Sequence, residues 1–288
     1  MTSAEDDKLP YILQRPARMM SPVIFSSPHS GRDYPEGMIL RTILDERRLR
    51  SSEDAFVDDL LASVPGQGAM LLAARYPRAY VDLNRAEDEL DPALIDGLMR
   101  MPRGARVMAG LGVIPRVVAG NRPIYAGKLS RAEAEARLAT VWHPYHARLA
   151  ALLGEVRRRF GRVILFDTHS MPSEAVDQMG ERRPDIVLGD RFGVASRSDT
   201  TAQVDAVFTD LGLRVVRNAP FAGAYITQRY GRPADGIEVV QIEINRGLYM
   251  DEAQIRRSAD YQAFADLMQE AVARLVAVWR EPGQMAAE

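Results

Sequence analysis

The stretch "RVILFDTHSMP" (162–172) determines the fold class, because an unbroken apolar run stops there at a group of polar residues. A run of valine, isoleucine, leucine and phenylalanine is typical of a strand that is covered on both faces. The run ends at Asp167, Thr168, His169 and Ser170, and two interpretations are open. These residues either belong to an ordinary loop or lie in a catalytic site at the end of the strand.

Similar apolar segments recur along the chain and alternate with helical patterns. This alternation predicts an α/β fold, with a central mostly parallel or mixed sheet flanked by helices. We predict a single domain over 1–288, in which residues 1–18 are a loosely packed N-terminal segment. The predicted strands are 22–31, 69–75, 78–85, 162–169, 185–190, 213–218 and 236–246, and the predicted helices are 130–161, 198–212 and 250–280.

The helix predicted over 130–161 has a start signal and an internal break signal. Ser130 and Glu133 form a capping box, in which each side chain can bond a backbone N–H of the first turn. Pro144 removes one helical hydrogen bond and crowds the preceding turn. We therefore expect a break or kink near 142–144.

The composition excludes several classes of protein. With 37 basic and 39 acidic residues, the chain has neither the charge of a nucleic-acid-binding protein nor a polybasic membrane patch. The absence of cysteine excludes disulfides, thiolate metal sites and cysteine nucleophiles. The start "MTSAEDDKLPY" is unlike a signal peptide, and the apolar runs are too short to span a bilayer. We expect a cytoplasmic protein that acts on a small molecule, with no nucleic-acid or membrane partner.

Polar residues lie at the carboxyl ends of four of the predicted strands. In open α/β sheets, ligands bind at the carboxyl ends of strands, so these residues are candidates for a common site. A neutral imidazole is a common zinc ligand, and catalytic zinc needs three protein ligands and an open position. A single histidine after a strand is nevertheless more often a loop or packing residue, so both interpretations stay open. The strand ends carry His29, then Asn84 and Arg85, then Asp167 and His169, and finally Glu243, Asn245 and Arg246.

Glu243 lies between isoleucines in the apolar segment "VVQIEIN". Burial of a carboxylate is costly unless the group is paired or hydrogen-bonded. A general base that activates water is one reason for such burial, and a structural pair with an arginine is another. Asp167, two residues before His169, either orients that ring or faces the core.

The remaining motifs carry less weight. His143 and His146 in "WHPYH" are three residues apart, but the segment lacks the glutamate of an HExxH metalloprotease helix. Both are ordinary candidates for helix-surface or packing positions. The sequence contains no GxSxG elbow, no P-loop and no GxGxxG fingerprint.

Taken in order, six segments between residues 26 and 252 resemble the N-formylglutamate amidohydrolase family. That family is similar to the zinc carboxypeptidases and aspartoacylases. The resemblance implies a phosphorylase/hydrolase-like, zinc-carboxypeptidase-like fold and hydrolysis by a metal-activated water. The segments are "SSPHSGRDYP", "DLNRAEDELDP", "PYHARL", "LFDTHSMP", "NAPFAGAYITQRYGRP" and "VVQIEINRGLYMDE".

The resemblance also implies roles for particular residues. His29 and His169 match the two metal histidines of the relatives, and the implied cofactor is one zinc ion. Glu243 matches the general base. Asn84 and Arg85 match the pair of residues that binds a substrate carboxylate in the relatives.

One position departs from the pattern of the relatives. They place a glutamate ligand three residues after the first histidine, where this chain has Arg32, which cannot bind a metal. A third ligand must come from elsewhere. Asp54 is our first choice, and Glu53 and Asp33 are weaker alternatives.

The implied reaction converts N-formyl-L-glutamate to formate and L-glutamate. Two substrate carboxylates call for arginine forks, and Arg85 is the best candidate for the α-carboxylate. The segment "FAGAYITQRYG" (221–231) is interpreted as a loop that lines the pocket. Further candidates are His146 for catalysis, as a group that positions substrate or oxyanion, and Arg122, Tyr225, Arg229, Asn245 and Arg246 for substrate binding.

Two alternatives remain at the level of sequence. Gln228 stands where an arginine would give a second carboxylate clamp, so another N-acyl amino acid or a small peptide is a possible substrate. A non-catalytic binding protein on a hydrolase fold is the second alternative. A role in histidine breakdown follows from the resemblance alone, and the oligomeric state stays open.

Overall fold

The apolar run quoted above forms a central strand of a seven-stranded mixed sheet, in a computed structural model that describes residues 9–98 and 104–280. Helices accompany this sheet, so the predicted α/β class is confirmed. The strands are β1 (Tyr11–Gln14), β2 (Val23–Ser27), β3 (Met70–Ala74), β4 (Val117–Val118), β5 (Arg122–Pro123), β6 (Val163–Met171), β7 (Ile186–Gly189), β8 (Val215–Arg217), β9 (Ile237–Asn245), β10 (Met250–Asp251) and β11 (Arg256–Arg257).

The sheet has the strand order β1-β3-β2-β6-β9-β7-β8. Strand β6 pairs in parallel with both β2 and β9, whereas β7 pairs antiparallel with β9 and parallel with β8. Because β2, β6 and β9 run in parallel, their carboxyl ends lie at the same edge of the sheet. The other strands form two small hairpins, β4 with β5 and β10 with β11.

Two helices of the described chain have 18 residues each and a third has 13, whereas the others are short. Within residues 9–98 and 104–280, none of them has the length and apolar character needed to cross a bilayer. The helices are α1 (Glu36–Ile39), α2 (Glu46–Arg50), α3 (Val57–Leu60), α4 (Ala105–Met108), α5 (Arg131–Arg137), α6 (His143–Phe160), α7 (Ser198–Asp210), α8 (Tyr225–Tyr230) and α9 (Tyr261–Val278).

The chain divides into two compact units. The expectation of one domain over 1–288 stays a prediction. In their described parts, the first unit comprises residues 9–12, 28–55, 73–98 and 104–149, and the second comprises 13–27, 56–72 and 150–280.

The core of the second unit is built on the buried apolar strands. Phe25 of β2 and Phe166 of β6 are in contact, with ring centroids 5.1 Å apart. Phe166 also packs on Trp279, which follows α9, at 5.9 Å. All nine residues of β6 are buried, so the interpretation of the run at 162–172 as a doubly covered strand is confirmed.

The predicted break before Pro144 is present as a π-helical turn at Leu138–Trp142, which joins α5 to α6. Pro144 has no N–H to continue a regular helical ladder, and the wider turn accommodates this. The start of α5 is also as predicted, since Ser130 Oγ accepts a hydrogen bond from the Glu133 N–H at 3.1 Å. The serine half of the capping box is thus confirmed, whereas the Glu133 carboxylate accepts hydrogen bonds from Arg41 and Arg137.

Three segments differ from their predicted structure. The segment 78–85, which the structure describes in full, has turns where we expected a strand. Residues 250–257 form a hairpin and not the first part of a helix, because the Asp251 carboxylate accepts the Gln254 N–H at 3.0 Å and fixes a turn. The expected loop at 221–231 contains helix α8.

The predicted loose N-terminal segment 1–18 is only partly described, and its residues 1–8 lie outside the described residues. Residues Tyr11–Gln14 are strand β1 at one edge of the sheet, so this part is not loosely packed. Tyr11 is buried, and the N–H of Arg75 donates to the carbonyl of Pro10 at 3.0 Å. Backbone pairing and burial of one aromatic ring account for the difference.

Candidate active site

His29 lies two residues beyond the end of β2 and is 2% exposed. Its Nε2 atom is 2.7 Å from Oδ1 of Asp82, and its Nδ1 atom is 3.4 Å from Oδ2 of Asp54. The backbone N–H of Asp54 also donates to the carbonyl of His29 at 3.0 Å. The ring is thus held between two carboxylates, with its Nδ1 side towards Asp54.

Asp82 is a buried carboxylate that the sequence analysis did not single out. It accepts hydrogen bonds from Nη2 of Arg78 at 2.8 Å and from the backbone N–H of Asn84 at 2.9 Å. Burial alone would raise the pKa of this carboxyl, but the charges of Arg78 and His29 hold the pKa well below its usual value. Asp82 is therefore ionised at neutral pH and favours an Nε2–H on the His29 ring.

His169 lies on β6 in the second unit and is 3% exposed. Its Nε2 atom is 3.0 Å from Oδ2 of Asp167, and Oδ1 of Asp167 accepts a hydrogen bond from Ser26 Oγ at 2.9 Å. Residues two apart on a strand point to the same face, which brings Asp167 to the ring. Each of the two histidines thus has its Nε2 atom held by a carboxylate.

Three of the residues that we predicted as metal ligands come together. One possible ligand atom from each of His29, Asp54 and His169 lies within 4.8 Å of the other two, and all three residues are buried. Zinc–ligand bonds are about 2.0–2.2 Å long, so the atoms need to move by less than about an ångström to share one ion. The cluster could hold a metal ion.

The alternative carboxylates for the third ligand have other surroundings. Glu53 is buried and accepts hydrogen bonds from the Tyr34 hydroxyl at 2.6 Å and from Nε of Arg50 at 3.1 Å. Burial and the charge of Glu53 raise the pKa of Tyr34, so its hydroxyl remains a donor. Asp33 is exposed. Of the three candidates, Asp54 is the one that lies with the histidines.

Glu243 lies on β9 directly opposite His169 on the parallel strand β6. Paired residues of neighbouring strands project from the same face of a sheet, so both side chains share a face. Glu243 is 9% exposed, and its Oε1 atom accepts a hydrogen bond from Nε2 of Gln241 at 2.8 Å. The Oε1 atom of Gln241 accepts the N–H of Ala224 at 3.0 Å, which orients the amide. This chain of bonds fixes the carboxylate.

Arg85 is a largely buried cation in the first unit. Its Nη1 atom donates to the carbonyl of Asn84 at 2.9 Å, and its Nε atom donates to the carbonyl of Leu111 at 3.1 Å. Burial lowers the pKa of Arg85, and the negative charge of Asp82 opposes that effect. The guanidinium is thus held in place by the backbone, which suits a group that binds an anion.

His146 is 5% exposed and lies in α6, four residues after the π-helical turn. Its Nε2 atom is 3.0 Å from the carbonyl oxygen of Leu83. The ring lies against Trp142, with centroids 4.1 Å apart. One contact of this residue is thus with the backbone of segment 78–85.

The other predicted substrate-binding residues are in varied positions. Asn245 is buried, and its Oδ1 atom accepts hydrogen bonds from Ser173 Oγ at 2.9 Å and from the Gly247 N–H at 3.0 Å. The Nε atom of Arg246 donates to Ser170 Oγ at 3.0 Å. Asn245 thus stabilises the turn that follows β9, and Arg246 joins that turn to Ser170 of β6.

The remaining three candidates lie on helix α8 or on a hairpin. Tyr225 is the first residue of α8, and Arg229 is exposed on the same helix, 5.9 Å from the ring of Tyr230. Arg122 is exposed in strand β5 and donates to the carbonyl of Ala119 at 3.2 Å. Among the described residues, no hydrogen bond or ion pair joins Arg122 to His29 or Arg85.

Two histidines and one carboxylate around a buried point form a donor set that is typical of metal-dependent hydrolases. The chain belongs to the N-formylglutamate amidohydrolase family, because the model of that family matches residues 21–250. It is therefore a hydrolase that acts on an amide bond.

Individual relatives agree with this assignment. The chain is 32% identical to the N-formylglutamate deformylase of Pseudomonas aeruginosa, over 80% of this chain and 83% of the relative. It is 29% identical to that of Pseudomonas putida, over 81% and 83%. Its fold is similar to the crystal structure of N-formylglutamate amidohydrolase from Ralstonia eutropha JMP134, with a TM-score of 0.88, 34% identity, and coverage of 94% of this chain and 98% of that chain.

Proposed function

We propose that the chain hydrolyses N-formyl-L-glutamate to formate and L-glutamate with the help of one zinc ion. The observation that carries this proposal is the cluster of His29, Asp54 and His169, whose ligand atoms lie within 4.8 Å of one another. Two relatives named N-formylglutamate deformylase support the choice of substrate.

The residues fit a zinc ion by their chemistry as well as by their distances. Asp82 and Asp167 each hold the Nε2 atom of one histidine, which leaves Nδ1 as the nitrogen of His29 and His169 for the ion. Such a carboxylate behind the ring raises the basicity of the ligand nitrogen. When bound, a zinc ion lowers the pKa of a water molecule and polarises the carbonyl that is attacked.

Glu243 is proposed as the general base. Its carboxylate would accept a proton from the water that attacks the formyl carbon, and would pass that proton to the nitrogen of the departing glutamate. The position opposite His169 and the hydrogen bond from Gln241 support this role. Both keep the carboxylate on the face that carries the histidine.

Arg85 is proposed to bind the α-carboxylate of the substrate, with Asn84 beside it. A formyl group offers little surface for recognition, so specificity must come from the glutamate part of the substrate. An arginine held by two backbone carbonyls presents a fixed fork to a carboxylate. Tyr225, Arg229, Arg246, Asn245 and Arg122 remain proposals for the second carboxylate.

A substrate panel tests the proposal directly. We expect the zinc-loaded protein to have a higher kcat/KM for N-formyl-L-glutamate than for N-acetyl-L-aspartate, N-formyl-L-alanine or a dipeptide, because two carboxylates add two charge-assisted contacts. Formate release is the measurement. A preference for a dipeptide or another N-acyl amino acid would instead favour the alternative that Gln228 suggests. No turnover of any amide, with substrate still bound, would favour a binding protein.

We expect Asp82→Asn to weaken zinc binding by about 10–100-fold, the usual cost of losing a carboxylate behind a histidine ligand. The amide removes the negative charge that faces His29 and leaves Arg78 without its ionic partner. Competition with a chromophoric chelator measures the zinc Kd.

Asp91→Asn is the matched control. Asp91 is also buried and pairs with an arginine, Arg116, at 2.8 Å. Both substitutions therefore cost an ion pair, and both should lower the free energy of unfolding. An equal loss of zinc affinity in the two variants would show that Asp82 acts through stability and not through His29.

A further inference from the structure

We infer that His146 and Trp142 are positioning residues that hold the segment 82–85 in the shape required by substrate and metal ligand alike, an inference that rests on the proposed function. Nε2 of His146 bonds the carbonyl of Leu83 at 3.0 Å. Nε1 of Trp142 donates to the carbonyl of Arg85 at 3.0 Å. Two side chains of one helical region thus bind alternate carbonyls of an irregular segment.

The partner of His146 fixes the state of its ring. A carbonyl oxygen can only accept a hydrogen bond, so the Nε2 atom of His146 carries a hydrogen. A nitrogen that donates to the backbone is not available to take a proton from water or substrate. The contact gives His146 a supporting role through Nε2, and any proton transfer by the ring would use the other nitrogen, Nδ1.

The π-helical turn at Leu138–Trp142 brings a third side chain, that of Arg137, towards the side of the helix that carries His146. In a regular α-helix, at about 100° per residue, positions 137 and 146 would point to opposite sides. The extra residue of a π-turn reduces this separation to about 80°. The guanidinium of Arg137 accordingly stacks on the ring of Tyr80 at 4.3 Å, so a third side chain contacts the residues that lead into segment 82–85.

Segment 82–85 carries one residue that supports the metal site and one that is proposed to bind the substrate. At its start, Asp82 bonds Nε2 of His29 at 2.7 Å. At its end, Arg85 carries the guanidinium proposed for the substrate carboxylate. Because 78–85 pairs with no strand in the described chain, the side chains of α6 and the π-turn replace the hydrogen bonds of a sheet. Loss of one donor would leave a buried carbonyl unsatisfied and would free the segment to move.

Three variants test the inference: His146→Gln, His146→Leu and Trp142→Phe. Glutamine places an N–H close to the position of Nε2 but cannot act as an acid or base, whereas leucine has similar bulk and no donor. We expect His146→Leu and Trp142→Phe to raise KM for N-formyl-L-glutamate by about tenfold, the usual cost of one buried hydrogen bond. We expect His146→Gln to restore KM to within about threefold of wild type, with the same pH profile of kcat.

Hydrogen exchange of the backbone gives a second readout. The Asn84 N–H is bound by Asp82, and the Ala86 N–H by Glu89, so both report on the segment. Their exchange should be faster in His146→Leu and unchanged in His146→Gln. A fall in kcat of about 100-fold or more in His146→Gln, with KM unchanged, would assign His146 to proton transfer and overturn the inference. Unchanged exchange in His146→Leu would overturn it as well.

Failure of the proposed function gives a different result. If the wild-type protein does not hydrolyse N-formyl-L-glutamate, the substrate assignment is wrong, but the exchange experiment still decides whether His146 holds the segment. A thermal unfolding curve for each variant shows that the protein remains folded during these measurements.

Discussion

Glu243→Gln is expected to lower kcat for N-formyl-L-glutamate by about 10²–10⁴-fold, while zinc content and KM stay close to wild type. The amide keeps the size of the carboxylate and can still accept the hydrogen bond from Gln241 through its oxygen, but it cannot take a proton from water. Glu243 stands opposite His169 in the parallel pair of β6 and β9, and the Gln241 side chain holds it at 2.8 Å. Steady-state kinetics and zinc analysis on the same preparation measure the effect.

Glu238→Gln provides the control on the same strand. Glu238 is 2% exposed and pairs with Arg162 at 2.7 Å. An odd number of positions separates it from Glu243, so it projects from the other face of the sheet. We expect this variant to lose about 1–3 kcal/mol of unfolding free energy but to keep its kcat. If Glu243→Gln retained more than about a tenth of the wild-type kcat, the general base would have to be another group.

Several parts of the site could be predicted because they depend on local pattern. The apolar run before His169 and the segment around Glu243 each define a strand, and parallel strands have their carboxyl ends at one edge. Their register then pairs His169 with Glu243. The capping box at Ser130 and the break before Pro144 are likewise signals within a few residues. In such cases, backbone preference and burial decide the structure without help from distant segments.

Other parts of the site depend on contacts that the sequence does not display. Asp82 meets His29 across 53 positions, and its segment bonds to side chains of a helix and not to a strand. The apolar alternation of 78–85 therefore predicted a strand that tertiary hydrogen bonds overrule. The catalytic role of His146 stays a prediction, and the sequence gives no sign that its ring binds the carbonyl of Leu83. Asp54 was our first choice for the third ligand because Arg32 stands where the relatives have a glutamate, and its proximity to the histidines is a property of the fold.

His169→Ala and His169→Gln are both expected to lose zinc and activity, because both remove a metal ligand. The two variants are expected to differ in the free energy of unfolding. The expected loss of zinc affinity exceeds the roughly 10–100-fold that removal of a supporting carboxylate costs, because a ligand itself is gone. Alanine also leaves Asp167 without its ring partner, which should cost about 1–3 kcal/mol of unfolding free energy. Glutamine can keep the bond to Asp167 while it removes Nδ1, so its fold should be close to wild type. Metal analysis, kinetics and chemical unfolding measure the three quantities.

His143→Ala is the matched control, since the side chain of His143 is 52% exposed and lies 3.5 Å from a carboxylate oxygen of Glu87. It should keep both zinc and activity. The comparison with His146 sharpens the test. Glutamine can replace a histidine whose role is to donate from Nε2. It cannot replace a histidine that binds a metal through Nδ1. We therefore expect glutamine to rescue position 146 and to fail at position 169. If His169→Gln retained its zinc, the ion would have to be held by other residues, and the cluster of His29, Asp54 and His169 would not be the metal site.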